Sequence, residues 1–103
     1  MGNPIRLINK TFENRIRLGI MSVLMVNHSV DFNTFKDILE ITDGNLASHL
    51  KTLETENMIT VSKQFIGRKP NTSYSATING KQAFTNHLDA LENLIRNQGK
   101  IKS

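Results

Sequence analysis

A chain of 103 residues, 38% hydrophobic and without cysteine, has room for one small domain with a modest core, and it excludes disulfides and thiolate metal sites. No apolar run approaches the roughly 20 residues that span a bilayer, and MGNPIRLINK lacks the apolar core of a secretion signal, so the chain reads as soluble and cytoplasmic. The net charge of +4 is too weak to demand a polyanionic partner, but it is unevenly spread: 31–56 is acidic, whereas 57–75 holds Lys63, Arg68 and Lys69 and no acid.

Taken in chain order, Asn3-Pro4 predicts a turn or helix start, with a short helical piece through Ile5, Leu7 and Ile8. Ile16, Ile20, Val23 and Leu24 stand at helical spacing, so Glu13 to Val26 is expected to be a helix with a broad apolar surface. Asn27-His28-Ser29 breaks it, and Val30 to Phe32 is a candidate for a very short strand. Phe32, Phe35, Ile38 and Leu39 predict a short second helix ending near Glu40, with Asn33 or Thr34 placed to cap it. Ile41-Thr42-Asp43-Gly44 reads as a tight turn. A third helix follows from about Asn45 to Asn57, capped by Asp43 or Thr42.

From Met58 the period changes to two. Ile59, Val61, Lys63 and Phe65 alternate with Thr60, Ser62, Gln64 and Ile66. Gly67-Arg68-Lys69-Pro70-Asn71 supplies turn residues, and Thr72 to Thr77 returns, so 59–77 is expected to be a β-hairpin with Tyr74 packed in its base. Thr77 can cap a last helix running to about Asn97, lined by Phe84, Leu88, Leu91 and Ile95, with Ala83, His87, Ala90 and Leu94 widening the stripe. The expected class is α+β, mainly α, as a single domain over 1–103 with 99–103 as a frayed tail. The order helix, helix, helix, hairpin, helix is that of a winged helix-turn-helix.

The third helix carries the functional question. At 100° per residue, Leu46, Leu50 and Leu53 fall within about 60° of one another and form a buried stripe. The opposite side holds Asn45, Ser48, Lys51, Thr52 and Thr55, groups able to reach base edges or phosphates in a major groove. An ordinary solvated face is usually richer in Glu and Lys. The acids Glu54 and Glu56 lie near the C-terminal end, expected to point away from DNA. The hairpin tip is either a solvated turn or a basic element touching a groove through Arg68 and Lys69; the absence of acid nearby favours the second.

The segments TDGNLASHLKTLE, GRKPNTSY and TINGKQAF, with Arg15-Ile16-Arg17 and Ile20-Met21 before them, resemble the winged-helix transcriptional regulators of the MarR/ArsR-like group, in its compact single-domain branch. The resemblance covers about 12–95. It implies a homodimer on double-stranded DNA at an inverted repeat, more often a repressor. It implies recognition through Asn45, Ser48, His49, Lys51 and Thr52, and a wing in which Lys63, Arg68 and Lys69 reach the flanking groove. It also implies a subunit interface from the first and last helices, placed here on Ile16, Ile20, Phe84, Leu88, Leu91 and Ile95. The apolar surplus of those two helices supports the interface independently.

Other classes fare less well. A protein-interaction module without DNA binding fits the fold and the acidic stretch, but not the basic hairpin. There is no Gly-rich phosphate loop and no clustered carboxylate–histidine set, so no enzymatic turnover and no cofactor are expected. His28, His49 and His87 lie in separate segments, and His87 and Asp89 are two apart on a helix, which predicts no metal site. An unidentified small-molecule effector has no residue set to mark it, and the length leaves no separate sensor domain.

Overall fold

The computed structural model describes residues 4–98. Asn3 and the expected frayed tail at 99–103 lie outside the described residues. Two 3-10 turns, Pro4–Leu7 and Lys10–Glu13, lead into α1 (Arg15–Val26), β1 (Val30–Asp31), α2 (Phe32–Leu39), α3 (Asp43–Thr55), β2 (Ile59–Ile66), β3 (Lys69–Ala76) and α4 (Ile78–Gln98). The architecture is a winged helix-turn-helix, as expected.

Several boundaries differ from the sequence expectation, each for a local reason. The first helix begins at Arg15 rather than Glu13 because Asn14 caps it, its side chain accepting from the backbone N–H groups of Ile16 (2.9 Å) and Arg17 (3.1 Å). Asn9 caps the separate turn before it. The cap of α2 is Asp31, not Asn33 or Thr34: its carboxylate accepts from Thr34 N–H at 2.8 Å, and the hydrogen bonds with Thr34 hold the Asp31 pKa below its ordinary value. The turn between α2 and α3 is tighter than Ile41–Gly44. Glu40 takes the left-handed conformation (φ 51°) and Thr42 caps α3 through Asn45 N–H at 3.2 Å, so Gly44 already lies inside the helix. At the far end Asn57, also left-handed (φ 61°), follows the helix and turns the chain toward β2.

The sheet is antiparallel in the order β1-β3-β2, with Val30 opposite Tyr74 and Ile59 opposite Ala76. The hairpin turn is only Gly67-Arg68, with Ile66 paired to Lys69. Gly67 has φ +65°, the position that favours glycine in a two-residue turn of the II′ kind. Pro70 therefore belongs to β3, not to the turn. It lies beyond the stretch of β3 that β1 covers, where a missing N–H breaks no ladder on that side.

The core gathers Leu46, Leu50 and Leu53 of α3, Ile20, Met21 and Leu24 of α1, Phe35 of α2, Ile59 and Tyr74 of the wing base, and Phe84 of α4. Phe12 joins them from the second 3-10 turn. It is 2% exposed and meets Phe84 edge-on at 5.1 Å and the His87 ring at 5.4 Å. Burying such a side chain contributes about 2–3 kcal/mol. Thr77 caps α4, as expected, through Gly80 N–H at 2.8 Å, while its hydroxyl also reaches Asn57 O at 2.8 Å.

Candidate nucleic-acid interface

The buried stripe of α3 turns its other side outward. Asn45, Ser48 and Lys51 are exposed, whereas His49 and Thr52 are half-buried. The Thr52 hydroxyl donates back to Ser48 O at 3.2 Å, so one of its hydrogen-bonding options is spent within the helix. Lys51 is open to solvent, with Glu54 only at 4.0 Å.

The acids of this region have partners. Asp43, at the start of α3, pairs with Lys36 of α2 at 2.6 Å and raises the lysine's pKa. Glu56 accepts the Thr11 hydroxyl at 2.5 Å. That bond places Glu56 against the N-terminal segment, away from the exposed polar face of α3.

His49 is held from the inside. Its Nδ1 lies 3.1 Å from Arg17 Nη1, and the guanidinium donates there only to an unprotonated ring nitrogen. Arg17 Nε in turn donates to Thr11 O at 2.7 Å. Burial, then the Arg17 charge, lowers the His49 pKa. His49 is thus partly committed to packing α3 on α1. Arg17, Thr11 and Asn14 were missed as site-shaping residues by sequence reasoning. The Asn-x-x-Arg spacing after Thr11 was the available signal, and it is weak.

The wing stands beside α3 across an open cleft of about 610 Å³, lined among others by Lys51, Glu54, Lys63, Thr72 and Tyr74. The structure brings Lys51 and Lys63 to one cleft, from different elements, and places Glu54 there as well, a correction to the expectation that this acid points away. Lys63, Arg68 and Lys69 are all exposed. Tyr74 is 8% exposed in the hairpin base, its pKa raised by burial and by Glu54.

The expected interface residues separate into two groups. Ile20 (0% exposed) and Phe84 (3%) are inside the protomer's own core and offer nothing to a partner, a correction to their assignment. The core face of α4 runs through Gly80, Phe84, His87 and Ala90, where two small residues allow close approach. Leu88 (45%) and Ile95 (72%) are turned outward, and Ile16 and Leu91 are half-buried. His87 is buried, accepting Asn9 N–H on Nδ1 at 3.1 Å, and burial lowers its pKa. An open groove of about 490 Å³, bordered by Leu7, Asn9, Asn86 and Ala90, lies between the first turn and α4. Among the described residues no group of three or more His, Asp or Glu could hold a metal ion, and no helix is long and apolar enough to cross a membrane.

A short helix pinned to a second by a tight turn, with a two-stranded wing beside it, defines the winged-helix transcriptional regulators. Residues 16–95 match the winged helix DNA-binding domain family, and the chain belongs to it. It is 33% identical over 88 residues to an uncharacterized protein of Methanocaldococcus jannaschii, spanning 85% of this chain and 96% of that one. A transcriptional regulator homologue from Pyrococcus horikoshii OT3 superposes with a TM-score of 0.79 at 30% identity, covering 85% of this chain and 87% of the other. The S. aureus MepR–DNA complex superposes with a TM-score of 0.70 at 11% identity, over 87% and 77% of the two chains, a likeness of fold alone.

Proposed function

We propose that the chain is a single-domain repressor of the MarR/ArsR-like group, acting as a homodimer on an inverted-repeat operator in double-stranded DNA. The observation that carries this reading is the shared cleft. The polar side of α3 with Lys51 and the acid-free wing with Lys63 border one space; of the acids nearby, Asp43 and Glu56 are engaged by other groups, and Glu54, which also lines the cleft, stands 4.0 Å from Lys51. Asn45, Ser48 and Lys51 enter the major groove, with His49 and Thr52 at its margin. Lys63, Arg68 and Lys69 hold phosphates of the flanking groove. Leu88, Leu91 and Ile95 of α4, with Ile16, meet a second copy; Leu88 and Ile95 lie seven residues apart and so share a helix face.

The test is selection from random double-stranded DNA by the purified protein, with R68A/K69A alongside and sedimentation of the free protein. An enriched inverted repeat with half-sites about 34–36 Å apart and a dimeric mass support the reading. The double variant is expected to bind all sequences more weakly and to show a flatter salt dependence. No enrichment, with both proteins alike, turns the assignment to a protein-interaction module.

A further inference from the structure

The wing tip bears two large apolar side chains that the fold leaves uncovered: Phe65 is 75% exposed and Ile66 67%. Neighbours in a strand point to opposite faces, and directly paired residues share one. Phe65 therefore lies with Pro70, and behind them on the same face come Lys63 with Thr72 and Val61 with Tyr74. Those four line the cleft to α3. Moving outward along this face, the wing presents a buried aromatic ring, a cation, and an exposed aromatic ring beside a proline. A two-residue turn needs no apolar flank, and leaving a phenylalanine in water forgoes the gain of burying its ring.

The surrounding charge says what covers it. Residues 57–75 hold Lys63, Arg68 and Lys69 with no acid, a surface complementary to a polyanion. A minor groove about 6 Å wide does not admit a two-stranded ribbon whole, so only side chains of the tip can enter it.

We propose that Phe65, backed by Pro70, is an apolar wedge that presses into the minor groove beside the site read by α3. It makes the flank's ease of deformation part of what the protein selects. Arg68 and Lys69 hold the phosphates while the ring packs on sugars and base edges, and the cost of that widening depends on the base step. Flexible pyrimidine–purine steps are favoured there without any hydrogen bond to a base. The inference rests on the DNA-binding reading above.

The test runs random-duplex selection with the wild type, F65A and F65L. The wild type is expected to enrich TA or CA/TG steps at a fixed distance outside each half-site. F65A keeps the half-site and loses the flank preference. Its affinity for the enriched site falls about tenfold, with the slope of log affinity against log salt unchanged, because the cations that meet phosphate are all still present. F65L recovers part of the loss. A 2-aminopurine placed in the flanking step brightens with the wild type and not with F65A. Equal flank selection and affinity in F65A overturns the wedge and leaves DNA binding standing. Failure of the wild type to enrich any sequence overturns both. Altered sedimentation of free F65A with flank selection intact assigns the tip to a protein contact and overturns the wedge.

Discussion

Among the described glycines, Gly80 is the one where an added Cβ has the least room. It sits in the first turn of α4, against the backbone where α3 gives way to β2. A Cβ built there would lie 2.0 Å from Met58 O, 2.8 Å from Met58 C and 3.0 Å from Met58 Cα. The obstacle is backbone, so no side-chain rotation relieves it, and the oxygen must retreat by about 1 Å to reach even a tight contact. The junction that would have to open holds Thr77 N–H to Met58 O at 3.0 Å and the Thr77 hydroxyl to Asn57 O at 2.8 Å. Overpacking against a fixed group costs up to about 3 kcal/mol, and disturbing the Thr77 cap about 1 kcal/mol more. Alanine's better helix propensity returns about 1 kcal/mol. The expected net destabilisation of G80A is about 3 kcal/mol. With a urea slope of about 1–1.5 kcal/mol per molar, the unfolding midpoint should fall by about 2–3 M at fixed protein concentration. Gly44 supplies the control: it is helical, an added Cβ meets nothing within 4 Å, and G44A should be neutral or slightly stabilising. A G80A midpoint at or above that of the wild type would refute the argument from close approach.

The recognition face, the protonation of two histidines and one buried hydroxyl give three more expectations. S48A should change which half-site is enriched more than T52V does, because the Thr52 hydroxyl is already bonded to Ser48 O; selection on the two variants checks this, and the reverse order would undo it. His49 and His87 have pKa values lowered from 6.5 in the fold. The unfolded chain therefore binds protons first on acidification, so stability is full above about 6.5 and declines as pH falls below it. Urea midpoints at pH 7.5 and 5.5 should differ in that direction, and H49Q should reduce the difference; a flat profile would contradict it. T11V removes the donor to Glu56 at nearly constant volume and should cost about 1 kcal/mol in urea unfolding, with no change meaning that water replaces the bond without loss.

Period and punctuation made most of the fold readable. The Leu46-Leu50-Leu53 stripe, the alternation from Ile59 onward and the Thr77 cap depend on neighbours in sequence, and each lies where expected. What misled was chemistry that tertiary packing decides. Glycine is the usual left-handed residue, so Gly44 was the natural turn candidate, yet Glu40 takes that conformation and Gly44 is helical. Asn33 and Thr34 are capping types, but Asp31 comes one place before the helix and takes the role. On α4 the broad stripe held the packed Phe84, His87 and Ala90, but spacing could not separate them from Leu88 and Ile95, which lie outside because the helix packs along the side of the small residues Gly80 and Ala90. Phe12 sits in a 3-10 turn too short to carry a period, so nothing in the pattern around it announces a core residue.

Arg17 is a cation of α1 whose side chain is committed inside the protein. Its guanidinium bridges Thr11 O and His49 Nδ1, and its backbone N–H belongs to the Asn14 cap. One side chain thereby ties the N-terminal segment, α1 and the inner side of α3 together, while Thr11 reaches the end of α3 through Glu56. The role this gives Arg17 is to set how α3 is presented, not to meet phosphate. R17M keeps much of the stem's packing and removes both bonds, which should cost about 1.5–3 kcal/mol of stability. DNA affinity should fall because α3 is less well placed. The salt slope should stay that of the wild type, since removing one cation from a phosphate would flatten it by about 0.9. A slope flattened by about one unit in R17M, with stability unchanged, would make Arg17 a phosphate ligand and break the link between α1 and recognition.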